Sequence, residues 1–582
     1  MFKRSILNCH RRLIPRQTRI GYRRSYSTGS TTLSSSLNPA LVFIGGSIIG
    51  GVLTYQFASK SNSTTAEKSI APATITTNID LASTLPLDNL SPPTYCTDEQ
   101  LQQGISEIRS LFLQTTPHSS TVDESLLINN TQEQLDSHSD TYFNSHHPKP
   151  HERPKYVVYP RTTKEVSEIM KICHKYSIPV VPTSGRSSLE GHFIPTRGGI
   201  SIDVSNLSEI LQLNQTDLDI SVQAGVGWEE LADYLNDYNL LFSSDPGPGA
   251  TISGICANNA SGTNATRYGE TYKNVLNLTV VLADGTIVKT KQRPRKSSAG
   301  YNLNSLFVGS EGTLGIITEA TLRLHVKPTE ESVIVVPFKS IRDAANAVND
   351  ILLTGIQMNA IELLDDKMMK VVNASGETSR KWQEMPTLFL KVGGPNINVI
   401  NATIDQLKSI TTRNNNLDFQ FASNEDEKTE LWSARKVALW STIDHGKSLD
   451  PNMQLWTTDA AVPISRLPQF LTETKADIDS HGLKNTLVAH IGDGNAHSFI
   501  LYTPEERDVA EKVVNNMVQR AVQYEGTCTG EHGVGYGKRQ FLLEEVGPIP
   551  IDLMRRIKLA LDPKRILNPD KVFKIDPNDH EH

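Results

Sequence analysis

The sequence predicts an α+β protein of two successive domains, and three patterns carry the prediction. Between residues 151 and 328, strands, helices and hairpin turns follow one another irregularly, without the steady strand–helix alternation of a parallel α/β fold. After Pro328 the rhythm changes to strands and longer helices, as in an antiparallel sheet backed by helices. Glycine-rich loops interrupt the first region, and a histidine-rich turn followed by Glu531-His532 interrupts the second.

The elements follow in order. Residues 156–159 read as a strand, and Thr163 caps a helix that puts Val166, Ile169, Met170 and Cys173 on one face. Strands are expected at 178–182, 200–204, 219–224 and 278–282, the last turning through Asp284-Gly285 into 287–290. In the second domain, 329–545, strands are expected at 333–337, 360–364, 388–392, 419–421, 486–491 and 498–502. Helices are expected near 341–353, 399–410, 432–440, 464–480 and 504–524. The tail, 546–582, is punctuated by prolines and expected to dock on the first domain.

At 582 residues, 38 % hydrophobic and 21 % charged, with a formal net charge of −7, the composition is globular. No basic excess points to nucleic acid. Five scattered cysteines without CxxC spacing speak against a disulfide framework or a thiolate zinc site. Charge placement is more telling. No acidic residue occurs from Met1 to Ala66, while Lys3, Arg4, Arg11, Arg12, Arg16, Arg19, Arg23 and Arg24 stand among hydroxyl and apolar residues. That composition predicts a mitochondrial presequence over 1–27. The uncharged run 41–58 would span about 27 Å as a helix, enough for one transmembrane anchor. The basic arm precedes it, so the expected topology is an inner-membrane protein with its bulk facing the intermembrane space, a matrix location being the alternative. Residues 59–150 read as a tether and N-terminal extension, with His138, His146, His147 and His151 expected at the surface.

Three glycine-rich segments come next: Pro182 to His192; Asp245-Pro246-Gly247 continuing through Thr251 to Gly262; and Gly309-Ser310-Glu311-Gly312-Thr313-Leu314-Gly315-Ile316-Ile317-Thr318. Glycines among Ser and Thr let backbone amides approach a diphosphate. None of the three carries the Lys of a P-loop or the context of a GxGxxG dinucleotide fold. In this order they resemble the FAD-binding domain of the vanillyl-alcohol oxidase class. The resemblance covers about 151–328 and implies a two-subdomain FAD-binding domain under an α+β cap. It also implies that Thr183, Ser184, Gly185, Arg186, Ser187 and Gly191 line the pyrophosphate. Pro246, Thr251, Ile252, Gly254, Asn258 and Gly262 would embrace the middle of the cofactor, with Glu311, Gly312 and Ile317 toward the adenosine and ribityl portions. The first loop has no attachment histidine, so FAD is expected to be non-covalent.

The second domain carries Thr458-Asp459-Ala460-Ala461-Val462-Pro463, His490-Ile491-Gly492-Asp493-Gly494-Asn495-Ala496-His497 and Gly526 to Gly535, and the tail carries Asn568-Pro569. These are similar to the D-lactate dehydrogenase branch of that class, whose cytochrome-linked members oxidise D-lactate. Asp570 departs from the branch, which often has Gly there. The resemblance implies His532 as general base and His490, His497 and Glu531 as ligands of a divalent metal, Zn²⁺ or another first-row ion. Arg435 would clamp the substrate carboxylate, with Asn495 as an orienting donor. Read as residues alone, the competing roles are hydrogen-bonded core histidines for His490 and His497 and a surface ion pair for Arg435. The neutral segment 455–459 favours D-lactate over D-2-hydroxyglutarate, and cytochrome c is the implied electron acceptor. D-2-hydroxyglutarate dehydrogenase and a non-catalytic flavin-binding module are the competing functions.

Overall fold

The computed structural model describes residues 90–115 and 123–575. The expected presequence and the anchor at 41–58 lie outside the described residues. Among these, no helix is long and apolar enough to cross a membrane.

The first sheet orders Ile128–Asn129, Tyr156–Val158, Ile200–Asp203 and Val180–Thr183. The pairing of the first two strands is antiparallel and the other two pairings are parallel. Helix Thr163–Tyr176 covers it with the expected apolar face, but its cap is Thr162, whose side chain accepts from the Glu165 amide. Part of the expected tether is core. Helix Asp98–Thr115 buries Leu101, Ile105, Ile108 and Phe112 in the same apolar cluster. That spacing of four, three and four is one helical face. His138, expected at the surface, is fully buried, with Nε2 2.9 Å from Asp203 Oδ2.

A second sheet of five antiparallel strands runs Ile210–Asn214, Asp219–Gln223, Ile316–Arg323, Val275–Val281, Ile287–Lys289. The third glycine segment thus leads straight into the central strand, Ile316–Arg323.

The cap is an eight-stranded antiparallel sheet, ordered Gln420–Phe421, Glu330–Pro337, Thr387–Gly394, Met358–Leu364, Lys484–His490, Asn495–Tyr502, Gln454–Thr457, with Ala460–Ala461 also paired to Asn495–Tyr502. Alternation sorts its side chains. Ile361, Leu363, Ala489 and Ala496 face one side, under helices Ile341–Leu353, Ile397–Arg413, Leu467–Ser480 and Arg507–Gln523. Ala360, Leu364, Val488 and Phe499 face the other, under Asp366–Ser375 and Glu425–Leu449. Those two helices leave part of the second face to polar residues.

The chain's end returns to the first sheet. Val180 donates to Ile566 O and accepts from the Asn568 amide, both at 2.7 Å. Asp570 has φ +64°, a left-handed conformation that favours glycine. Its carboxylate meets Arg197 at 2.7 and 3.0 Å and accepts from Thr196 at 2.7 Å, which compensates for the strained backbone.

Candidate active site

The three glycine segments converge. A Cβ on Gly185 would lie 2.4 Å from the Gly249 carbonyl oxygen, so only glycine lets the first loop meet the second. Beside it, Thr251 Oγ1 donates to Ser184 Oγ at 2.9 Å. The third segment joins through the Gly309 amide to Cys256 O and the Glu311 amide to Ala257 O. Gly191, Gly262 and Gly312 all take positive φ, and Gly262 packs against Asp245. Thr183 pairs with Ser201 at 3.2 Å. Pro246, Gly254, Asn258 and Ser187 are incompletely buried, and a Cβ at Gly247 or Gly249 would meet nothing within 4 Å. Open glycine backbone beside unspent hydroxyls and amides fits a diphosphate cofactor such as FAD.

Four residues of that expected set have side chains committed elsewhere. Ile252 and Ile317 lie in the apolar core of the five-stranded sheet, so only their backbone can face a cofactor. Arg186 pairs with Asp203, 3.2 Å away, and with His138. Glu311 accepts the Val534 and Gly535 amides, both at 2.7 Å, and lies 3.2 Å from His192 Nε2. It tethers the loop after His532 to the first domain.

The histidine cluster follows from strand register. His490 faces Asn495 across the hairpin and Val488 faces His497, so both rings rise from one face on diagonal positions. Their centroids are 5.3 Å apart. His490 Nδ1 meets Glu362 Oε1 at 2.8 Å, and His497 Nδ1 meets the Thr458 carbonyl at 2.9 Å. Both Nε2 atoms therefore point inward, to Glu531 Oε1 at 3.1 and 3.0 Å. The ligand atoms of His490, His497 and Glu531 lie within 4.8 Å of one another, and a donor set of two inward imidazoles and a carboxylate fits a divalent cation. Ser261, in the second glycine segment, donates to Glu531 Oε2 at 2.8 Å. Cofactor loops and cluster thus share a wall.

His532 stacks on His497, centroids 4.9 Å apart and planes at 14°. Burial pushes its pKa down from 6.5 to about 3, so the ring is neutral, and the Asp459 carboxylate is the charge that favours its protonated form. Its Nδ1 has no hydrogen-bond partner. Burial also opposes protonation of His490, but the Glu362 and Glu531 carboxylates outweigh it and hold His490 well above its ordinary value. Arg435 Nε donates to Glu362 Oε2 at 2.8 Å, which places Arg435 at the cluster's edge. Asn495 Nδ2 lies 3.5 Å from His497 Nε2.

The segment 455–459 divides between the two faces of the sheet: Trp456 belongs to the apolar cluster with Ile478 and Ile500, Leu455 packs on the face that bears His497, and Asp459 is a buried carboxylate. Glu362 was missed, although a lone acid inside the apolar run Ala360-Ile361-Glu362-Leu363-Leu364 is itself a signal.

Comparison with known proteins supports this arrangement. Residues 154–291 match the family "FAD binding domain" and 327–572 match "FAD linked oxidases, C-terminal domain". The mitochondrial D-lactate dehydrogenase (cytochrome) of Kluyveromyces lactis is 54 % identical over 93 % of this chain and 91 % of its own. D-lactate dehydrogenase (cytochrome) 1 of Saccharomyces cerevisiae is 51 % identical over 95 % and 94 %. Among solved structures, 4-ethylphenol oxidase from Gulosibacter chungangensis shares the fold, with a TM-score of 0.67 and 18 % identity over 84 % of this chain and 99 % of that one. Two-domain fold, converging glycine segments, adjoining histidine cluster and these likenesses agree: the chain belongs to the FAD-linked oxidases, in the branch of the mitochondrial cytochrome-type D-lactate dehydrogenases.

Proposed function

We propose that this flavoprotein oxidises D-lactate to pyruvate, with His532 as the base. The observation that carries the reading is a neutral, partly buried His532 stacked on the His490–His497–Glu531 cluster, which Ser261 ties to the glycine segments. Oxidising a 2-hydroxy acid requires removal of the hydroxyl proton together with departure of a hydride from C2. A neutral imidazole out of water accepts that proton. Bound FAD supplies the two-electron sink. Arg435, whose Nε is held by Glu362, would clamp the substrate carboxylate. His490, His497 and Glu531 would hold a divalent metal, whose contribution is Lewis-acid polarisation of the hydroxyl and carboxylate oxygens. Non-covalent FAD is part of this reading, as are cytochrome c as acceptor and inner-membrane attachment through residues 41–58 with the catalytic domains in the intermembrane space.

Support for D-lactate comes from the activity of the D-lactate dehydrogenases that match this chain over almost its whole length. Anaerobic mixing of the purified holoenzyme with D-lactate, L-lactate, D-2-hydroxyglutarate or glycolate tests it. Rapid flavin bleaching by D-lactate, followed by stoichiometric cytochrome c reduction, is expected. An oxidised flavin after D-lactate, with bleaching by hydroxyglutarate instead, would reverse the assignment.

A further inference from the structure

The turn that carries both Glu531 and His532 has little secondary structure of its own, yet both side chains must be aimed to within a fraction of an ångström. One buried oxygen organises it. Asp459 Oδ2 accepts from the Gly530 amide at 2.8 Å, the Glu531 amide at 3.0 Å, the His532 amide at 2.9 Å and the Thr529 hydroxyl at 2.7 Å. Three consecutive amides converging on one carboxylate fix the φ and ψ of the residues between them, and with these the exit directions of two side chains.

Asp459 is itself held from three directions. It follows Thr458, whose carbonyl orients His497 and whose hydroxyl bonds the Ser498 backbone at both amide and carbonyl. It precedes Ala461, which exchanges two backbone bonds with Thr527 at the start of the same turn. Beneath it, the buried Lys538 ammonium donates to the Asp459 carbonyl at 3.1 Å and lies 3.7 Å from Oδ2 and 3.4 Å from Glu190 Oε1. Three residues of one short segment, Thr458, Asp459 and Ala461, therefore set His497, Glu531 and His532 relative to one another. The other carboxylate oxygen, Oδ1, is buried without a hydrogen bond, 3.8 Å from His497 Nδ1.

We propose that Asp459 is a positioning residue for the oxidation, gathering the 529–532 turn on one carboxylate oxygen so that Glu531 meets His490 and His497 while His532 stacks in reach of substrate. This rests on the function proposed above and deepens it. Asp459 acts through the two residues it aims and touches neither substrate nor cofactor.

Two variants of the full-length holoenzyme test the proposal. Asp459→Asn keeps shape and one acceptor oxygen but removes the charge. Thr529→Val removes one of the four donors at nearly constant volume. The first readout is hydrogen exchange over 526–538, which needs no substrate. Faster exchange at Gly530, Glu531 and His532 in both variants is expected, and protection equal to the parent's would overturn the proposal.

The second readout is flavin reduction by D-lactate and by D-lactate deuterated at C2. The reduction rate should fall about 10–100-fold in Asp459→Asn, as for groups that support catalytic residues, and less in Thr529→Val. The isotope effect should rise toward its full value because the chemical step has been slowed. A lower rate with unchanged KM and unchanged isotope effect would mean only a smaller active fraction, and would reject positioning. A parent enzyme inert toward D-lactate would reject the function instead, and the exchange measurement would still decide whether Asp459 orders the turn.

Discussion

Where the glycine segments meet, backbone lies against backbone: Gly185 on Gly249, Glu311 on Ala257, Gly309 on Cys256. Where the histidines meet, charge lies against charge: Glu362 on His490, Glu531 on both imidazoles, Asp459 under the turn. The first region keeps its donors unspent for a guest. The second commits the polar side-chain atoms of His490, His497 and Glu531 before any guest arrives, as preorganised chemistry requires. A substitution in the first should therefore cost cofactor, and one in the second should cost rate while sparing cofactor.

The largest break should come from His532→Ala. Removal of the base is expected to slow flavin reduction by D-lactate about 10²–10⁴-fold. Bound flavin, read from its visible absorbance, should stay complete. Undiminished reduction would reject the base. Glu362→Gln comes next, because the ring that it orients then loses its charged partner. A drop of about 10–100-fold in divalent-metal affinity is expected, with full flavin content, measurable by competition with a chelator. On the other side of the comparison, Gly185→Ala pushes a methyl into the Gly249 carbonyl. Overpacking of about 1–3 kcal/mol should weaken FAD binding roughly tenfold or more. Metal affinity should be unchanged, and a coupled loss of both would show that the two regions do not act separately.

The smallest effect belongs to neither region. Burial works against ionisation of Asp570, but Arg197 outweighs it and holds the carboxyl at about 2, below the ordinary 3.8. A depressed pKa contributes stability that is fully present above about pH 4 and lost as pH falls toward 2. The shift is worth about 2 kcal/mol. In Asp570→Asn, chemical-denaturation curves should show a shallower loss of stability over that pH window, and an identical slope would remove Arg197 as the cause.

Much of this comparison is legible in the sequence where the interacting residues are local. The seven-residue separation of His490 and His497 belongs to a hairpin with glycines at its tip, so register alone puts both rings on one face. The glycine segments announce themselves by composition. Long-range partners do not. Glu362 is 128 residues from His490, and no local pattern links them. Helix Asp98–Thr115 had the right spacing but sat in a polar, proline-flanked context that reads as tether. Its partner, helix Thr163–Tyr176, supplies the apolar surface that makes it worth forming. Glu311 was assigned by its neighbours in a glycine motif, and motif membership says nothing about where a side chain points.

The pairing of Val180 with Ile566 and Asn568 carries a consequence in time rather than space. The strand that ends in the first cofactor loop finds its last neighbour near the chain's far end. Such long-range closure is among the slowest steps a fold can contain. An incompletely made chain thus has the glycines but not the finished cradle. Flavin loading is expected to follow the arrival of Ile566 and Asn568 beside Val180.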